Sequence, residues 1–159
     1  MGTAFIRHRI IDTFDGVIYE PGKHYDKYTG GWKESPNVYG TLEEQSDGYY
    51  LDAMRLVTAI CTQNPVSFKG YTKINFLVNS SSTQAERIRM GIAVDNTPTE
   101  STSSGFAGNY SVSATPGESN KDITVSVAIN GADSGYVGVS CRSLDDYRAR
   151  ITVKKIWLT

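Results

Sequence analysis

From Tyr71 to Val94 apolar and polar residues alternate with a period of two, a spacing that suits a β-strand and that no helix can bury on one face. Ile74, Phe76 and Val78 alternate with Lys73, Asn75 and Asn79. After the polar stretch Ser80-Ser81-Ser82-Thr83-Gln84-Ala85, Ile88, Met90, Ile92 and Val94 alternate with Arg87, Arg89, Gly91 and Ala93. Two such runs joined by a short polar loop predict an antiparallel hairpin with one dry face and one wet face.

The pattern recurs along the chain. Val17-Ile18-Tyr19-Glu20, Gly31-Trp32-Lys33, Tyr49-Tyr50-Leu51-Asp52 and Leu56 to Cys61 read as short strands. Tyr110, Val112 and Ala114 form another, followed by Ile123 to Ile129, Val137 to Cys141, and a last strand from Tyr147 through Val153. Asp15-Gly16, Pro21-Gly22, Pro116-Gly117 and Asn130-Gly131 supply turns. After Lys154-Lys155 the apolar parity flips to Ile156 and Leu158, which predicts a β-bulge or a strand passing between sheets. No segment keeps a helical period over two turns. Strands with one dry face each must stack as two sheets, so the expected fold is all-β: an antiparallel β-sandwich, most simply a jelly roll.

A chain of 159 residues is expected to form one domain. Residues 1–15, with Phe5, Ile6, Ile10 and Ile11 around Arg7-His8-Arg9, read as an N-terminal arm or edge strand, and 16–159 as a single β-sandwich domain. The net charge of −1 offers no field to attract polyanions, which argues against nucleic acid as a partner. No apolar run approaches 18 residues, so no membrane partner is expected, and no signal peptide is visible.

Catalytic patterns are missing: there is no G-x-S-x-G, H-E-x-x-H, P-loop or dinucleotide fingerprint. His8 and His24 sit in polar contexts and read as surface residues. Glu43-Glu44 and Asp145-Asp146 are adjacent pairs, and adjacent strand residues point to opposite faces, so neither provides the facing carboxylates of a glycosidase. No catalytic residue and no cofactor is expected. A structural calcium held by Asp122, Asp133 and Glu20 is one option, though no D-x-D-x-D-G loop exists. Cys61 and Cys141 read as buried free thiols or as a cross-strand disulfide.

The aromatic stretch 22–48 is the remaining functional signal. Flat rings can stack on the apolar face of a sugar while polar groups orient its hydroxyls. Tyr28, Trp32 and Tyr39 are the candidate glycan platform, with Arg55, Arg87 and Arg89 as candidate donors. The competing readings are a mini-core inside the loop for the rings and a solvated face for the arginines.

One ordered set of motifs goes further. Val17-Ile18-Tyr19-Glu20-Pro21-Gly22 precedes Tyr28-Thr29-Gly30-Gly31-Trp32; then come Tyr71 to Val78, Gly135-Tyr136-Val137-Gly138-Val139, and the ending Ile151 to Leu158. Over residues 17–158 this order resembles jelly-roll domains of tail- and baseplate-associated proteins from phages and prophages of Gram-positive Firmicutes. The resemblance implies a carbohydrate-binding-module-like (galactose-binding-like) fold and a non-enzymatic structural or receptor-binding role. It further implies cell-surface carbohydrate and other phage tail proteins as partners, with homo-oligomer assembly left open. The implied location is the virion, or the bacterial cytoplasm before assembly. It carries over no binding residues, and the Cys that often follows the early Gly-Glu is absent here, at Gly22-Lys23. The alternatives are a purely structural assembly domain without glycan binding, and a glycan-degrading enzyme.

Overall fold

The structure, a computed structural model, describes residues 14–23, 25–35, 39–55, 57–80, 88–94, 112–114, 119–143 and 148–159. The expectations for residues 1–13, His8, His24, Arg87, the Ser/Thr/Gly/Pro-rich loop at 95–108 and Asp145-Asp146 fall outside that set.

The strands are β1 (Val17–Tyr19), β2 (Trp32–Ser35), β3 (Thr41–Gln45), β4 (Gly48–Ala53), β5 (Val57–Thr62), β6 (Val66–Ser67), β7 (Lys73–Ser80), β8 (Ile88–Ala93), β9 (Val112–Ala114), β10 (Ser119–Ala128), β11 (Ser134–Arg142) and β12 (Ala149–Leu158). One four-residue helix, α1 (Asp26–Thr29), lies between β1 and β2. The first sheet runs β10-β7-β12-β4-β3, with β1 also on β12; the second runs β2-β5-β11-β8-β9, with β6 also on β11. Every pairing is antiparallel. From β4 onward the chain crosses repeatedly between the sheets, giving an antiparallel β-sandwich of the jelly-roll type.

The expected hairpin at 71–94 is not one. Strand β7 pairs with β10 and β12, whereas β8 pairs with β11 and β9 in the opposite sheet. The dry face is as expected: Ile74, Phe76, Val78, Ile88, Met90 and Ile92 are all fully buried in one core. Alternation reports which side of a strand is dry, not which strand lies beside it. A connection of the length between Ser80 and Ile88 serves a hairpin or an arch equally well. The Asn130-Gly131 turn behaves likewise. It is closed by Ala132 N–H donating to Ile129 O at 3.3 Å, with φ of 56° and 77°, yet it joins β10 to β11 across the sandwich.

The parity flip in β12 is a bulge within one sheet. Val153 opposes Val78 and Lys155 opposes Leu77, so Lys154 is the extra residue. The insertion keeps Ile151, Val153, Ile156 and Leu158 all buried on the inner side. The two cysteines are free. Gly138 opposes Cys61 while Cys141 opposes Thr58, so the thiols stand three positions out of register on opposite faces of the second sheet. Cys61 packs with Val57 and Ala59, and Cys141 belongs to the main core. Burial, with Asp52 adding to it, pushes the Cys141 thiol well up from its ordinary value.

Phe76 is fully buried between the sheets. Phe76→Ala should therefore cost about 3–5 kcal/mol of unfolding free energy, and Ile92→Ala about 2–5 kcal/mol, measured by chemical denaturation. An unchanged midpoint for either would mean that residue is not in the core.

Candidate functional site: an aromatic cleft at one end of the sandwich

The cleft is assembled where β5 ends and β7 begins. Glycine 16 sits at φ +85°, a left-handed conformation that costs an L side chain strain. An added Cβ there would also meet Tyr71 Cε1 at 3.0 Å and Leu158 O at 3.1 Å. This tight turn, tied by Leu158 N–H to Gly16 O at 2.8 Å, places Phe14 against Tyr71. The Tyr71 hydroxyl donates to Phe14 O at 3.2 Å, and the two rings meet edge to face with centroids 6.0 Å apart.

Helix α1 brings the third ring. Asp26 lies in its first turn, where the helix dipole favours a carboxylate. Gly30 ends it in the left-handed conformation, φ +70°, with its N–H donating to Asp26 O at 2.7 Å. The helix end docks on the segment after β5 through Asn64 N–H to Thr29 O at 2.8 Å and Gln63 N–H to Gly31 O at 2.9 Å. Tyr28 is thereby held 4.5 Å from Phe14, ring centroid to ring centroid. The Lys27 ammonium lies 5.7 Å from the centre of the Tyr28 ring.

Opposite α1, buried Phe68 anchors a tight turn in which Tyr71 N–H donates to Phe68 O at 2.9 Å. Lys69 and Gly70 form its tip. Phe14, Lys27, Tyr28, Pro65, Ser67, Lys69, Gly70 and Tyr71 enclose about 640 Å³, within the roughly 300–1,000 Å³ of small-molecule sites. A carboxylate clasp steadies the approach to α1. Glu20 accepts from Lys23 Nζ at 2.7 Å and the Tyr25 hydroxyl at 2.9 Å, and pairs with Lys155 Nζ at 2.9 Å. Hydrogen bonds from Lys23, then Lys155 and Tyr25, hold its carboxyl down at about 2, against an ordinary 4.5. Burial, and the bond to Glu20, push the Tyr25 phenol up to about 12.

Of the residues expected to form a platform, Tyr28 lines this cleft. Trp32 does not reach it: on β2 it shares the inner side with Glu34, opposite Thr62 and Ile60. There Trp32 is half-buried against the core, 6.0 Å from Tyr19 and 6.4 Å from Tyr49 between ring centres. The Tyr49 hydroxyl donates to Glu34. Tyr39 is 49% exposed and pairs with Arg55, whose guanidinium carbon is 5.8 Å from its ring centre. That pair precedes β5, whereas the cleft follows it, a separation of roughly 20 Å along six strand residues. Arg89 is exposed on the outer side of β8, opposite Ser140, and outside the cleft lining. The three rings thus occupy three neighbourhoods rather than one platform. Sequence reading missed Phe14, Lys27, Lys69 and Tyr71. The available signal was that aromatics directly flank two glycine turns, Phe14 before Asp15-Gly16 and Tyr71 after Lys69-Gly70.

Among the described residues no three His, Cys, Asp or Glu side chains cluster as a metal site. Asp122 accepts from Asn79 at 3.0 Å and Lys154 at 3.1 Å, far along the sheet from the Glu20 clasp in chain position. No helix among the described residues is long and apolar enough to cross a membrane.

No protein-family model matches the chain, and no curated protein does. A solved structure does share its fold: a mutant of CBM29-2, a family 29 carbohydrate-binding module from work on ligand recognition, superposes with a TM-score of 0.53 at 12% identity. The match covers 90% of this chain and 89% of that one.

The clasp makes stability depend on acid in a defined window. A carboxyl held below its unfolded value stabilises the fold above about pH 4.5, and that contribution fades as pH falls toward about 2. Glu20→Gln should destabilise by about 1 kcal/mol at neutral pH, a modest figure because solvent screens its exposed lysine partners. The gap to wild type should close between pH 4.5 and 2 in thermal melts. A gap independent of pH would show that the clasp does not hold the ionised carboxylate.

Proposed function

We propose that the chain is a non-catalytic glycan-binding domain whose site is the Phe14–Tyr28–Tyr71 cleft. The observation that carries this reading is three aromatic rings converging on one concavity that also holds lysine and serine donors. Rings supply flat apolar surface for the axial C–H face of a sugar, and the donors orient its hydroxyls. The shared fold with a carbohydrate-binding module supports the same reading. Two sheets without a paired-carboxylate groove at the cleft favour recognition over hydrolysis.

The setting we propose is a phage or prophage tail, where the domain would bind host surface glycan alongside other tail proteins. That setting rests on the motif order from Val17 to Leu158. Within it, Tyr39 and Arg55 are surface features outside the binding cleft, and Trp32 is a structural ring.

A glycan array with the full chain tests the proposal. Wild type should bind saccharide, and Tyr28→Ala should weaken it about tenfold or more, equivalent to ~1.4 kcal/mol. Tyr39→Ala should bind as wild type. Equal binding by wild type and Tyr28→Ala, or loss in Tyr39→Ala alone, would move the site away from the cleft.

A further inference from the structure

We infer that the cleft selects an anionic saccharide, a sugar bearing a carboxylate or phosphate; this rests on the glycan-binding reading above. The charged side chains lining it are Lys27 and Lys69, and no lining residue is a carboxylate. This local positive excess stands against a chain whose net charge is −1, so it is a property of the site and not of the composition.

The two lysines arrive on independent elements. Lys27 comes from the last turn of α1, and Lys69 from the turn anchored by buried Phe68. They flank the rings, so a sugar stacked on an aromatic face would carry its substituents toward both ammonium groups. Carboxylates on the surrounding elements are engaged elsewhere. Asp15 Oδ1 accepts from Val17 N–H at 3.0 Å. Asp26 Oδ1 is turned toward Gly31, 3.9 Å from where a Cβ would stand. Glu20 is held by Lys23 and Lys155. Lys69 has no ion-pair partner among the described residues.

Lysine ammonium groups act as point charges that accommodate a carboxylate or a phosphate without demanding the two-pronged geometry of a guanidinium. The cleft walls keep bulk water from screening them fully, which focuses the potential inside. A neutral sugar would use the rings but leave both ammonium groups merely solvated.

The experiment is an array of matched pairs, with uronate-bearing glycans beside their methyl esters and phosphate-bearing glycans beside their dephosphorylated forms. At low salt the anionic member of at least one class should bind about fivefold or more tighter than its neutral partner, and the class that does so identifies carboxylate or phosphate as the ligand group. Lys69→Gln, with an unchanged thermal melt, should shrink that preference to about twofold or less. Equal binding within both kinds of pair, or a preference that survives Lys69→Gln, overturns the inference while leaving the glycan-binding reading in place. Binding to no member of any pair overturns both.

Discussion

The burial of two inner sheet faces against each other is the constraint on which the rest depends. Strands β7 and β8 do not touch as neighbours; they contribute Ile74, Phe76 and Val78 from one layer and Ile88, Met90 and Ile92 from the other. Each fully buried aliphatic or aromatic side chain contributes about 1.5–3 kcal/mol. Ordering a backbone residue costs roughly 1–2 kcal/mol, so neither sheet is stable without the other's apolar face. The strict demand for inward parity explains the bulge at Lys154. Without the extra residue, Ile156 and Leu158 would turn outward and Lys155 and Trp157 inward.

That rigid sandwich is what gives the cleft its shape. Each of its walls is tethered to a buried residue or a main-chain bond. Thr29 is buried at the end of α1 and bonded to Asn64; Phe68 is buried beneath the turn that carries Lys69. The Gly16 turn fixes Phe14 through its link to Leu158. Loops held this way can present side chains to a ligand with little ordering left to be done on binding. The sheet supplies stability, and the connections at one end supply recognition.

The fold was largely legible because period-two patterning is a local signal: strand positions, inward faces, the Asn130-Gly131 turn and the β12 bulge all follow from residues a few places apart. Pairing partners are a long-range property, which is why the Tyr71–Val94 segment read as a hairpin although its strands lie in different sheets. The candidate site was legible only in part for the same reason. Tyr28 stood out as an aromatic in a loop, but its companions Phe14 and Tyr71 come from distant stretches that only the topology brings together. Trp32 resembled a surface platform in sequence because a loop tryptophan and an edge-strand tryptophan look alike. Its place opposite Thr62 on β5 decides that it faces Tyr19 and Tyr49.

The central claim is that saccharide binds in the aromatic cleft and not on an outer sheet face. Amide chemical-shift mapping during a saccharide titration tests it most directly. The account predicts shifts concentrated at Asp15, Gly16, Lys27, Tyr28, Ser67, Lys69, Gly70 and Tyr71. Shifts concentrated instead around Tyr39 and Arg55, around Arg89 on β8, or around outward-facing Trp157 beside Lys155 would contradict it.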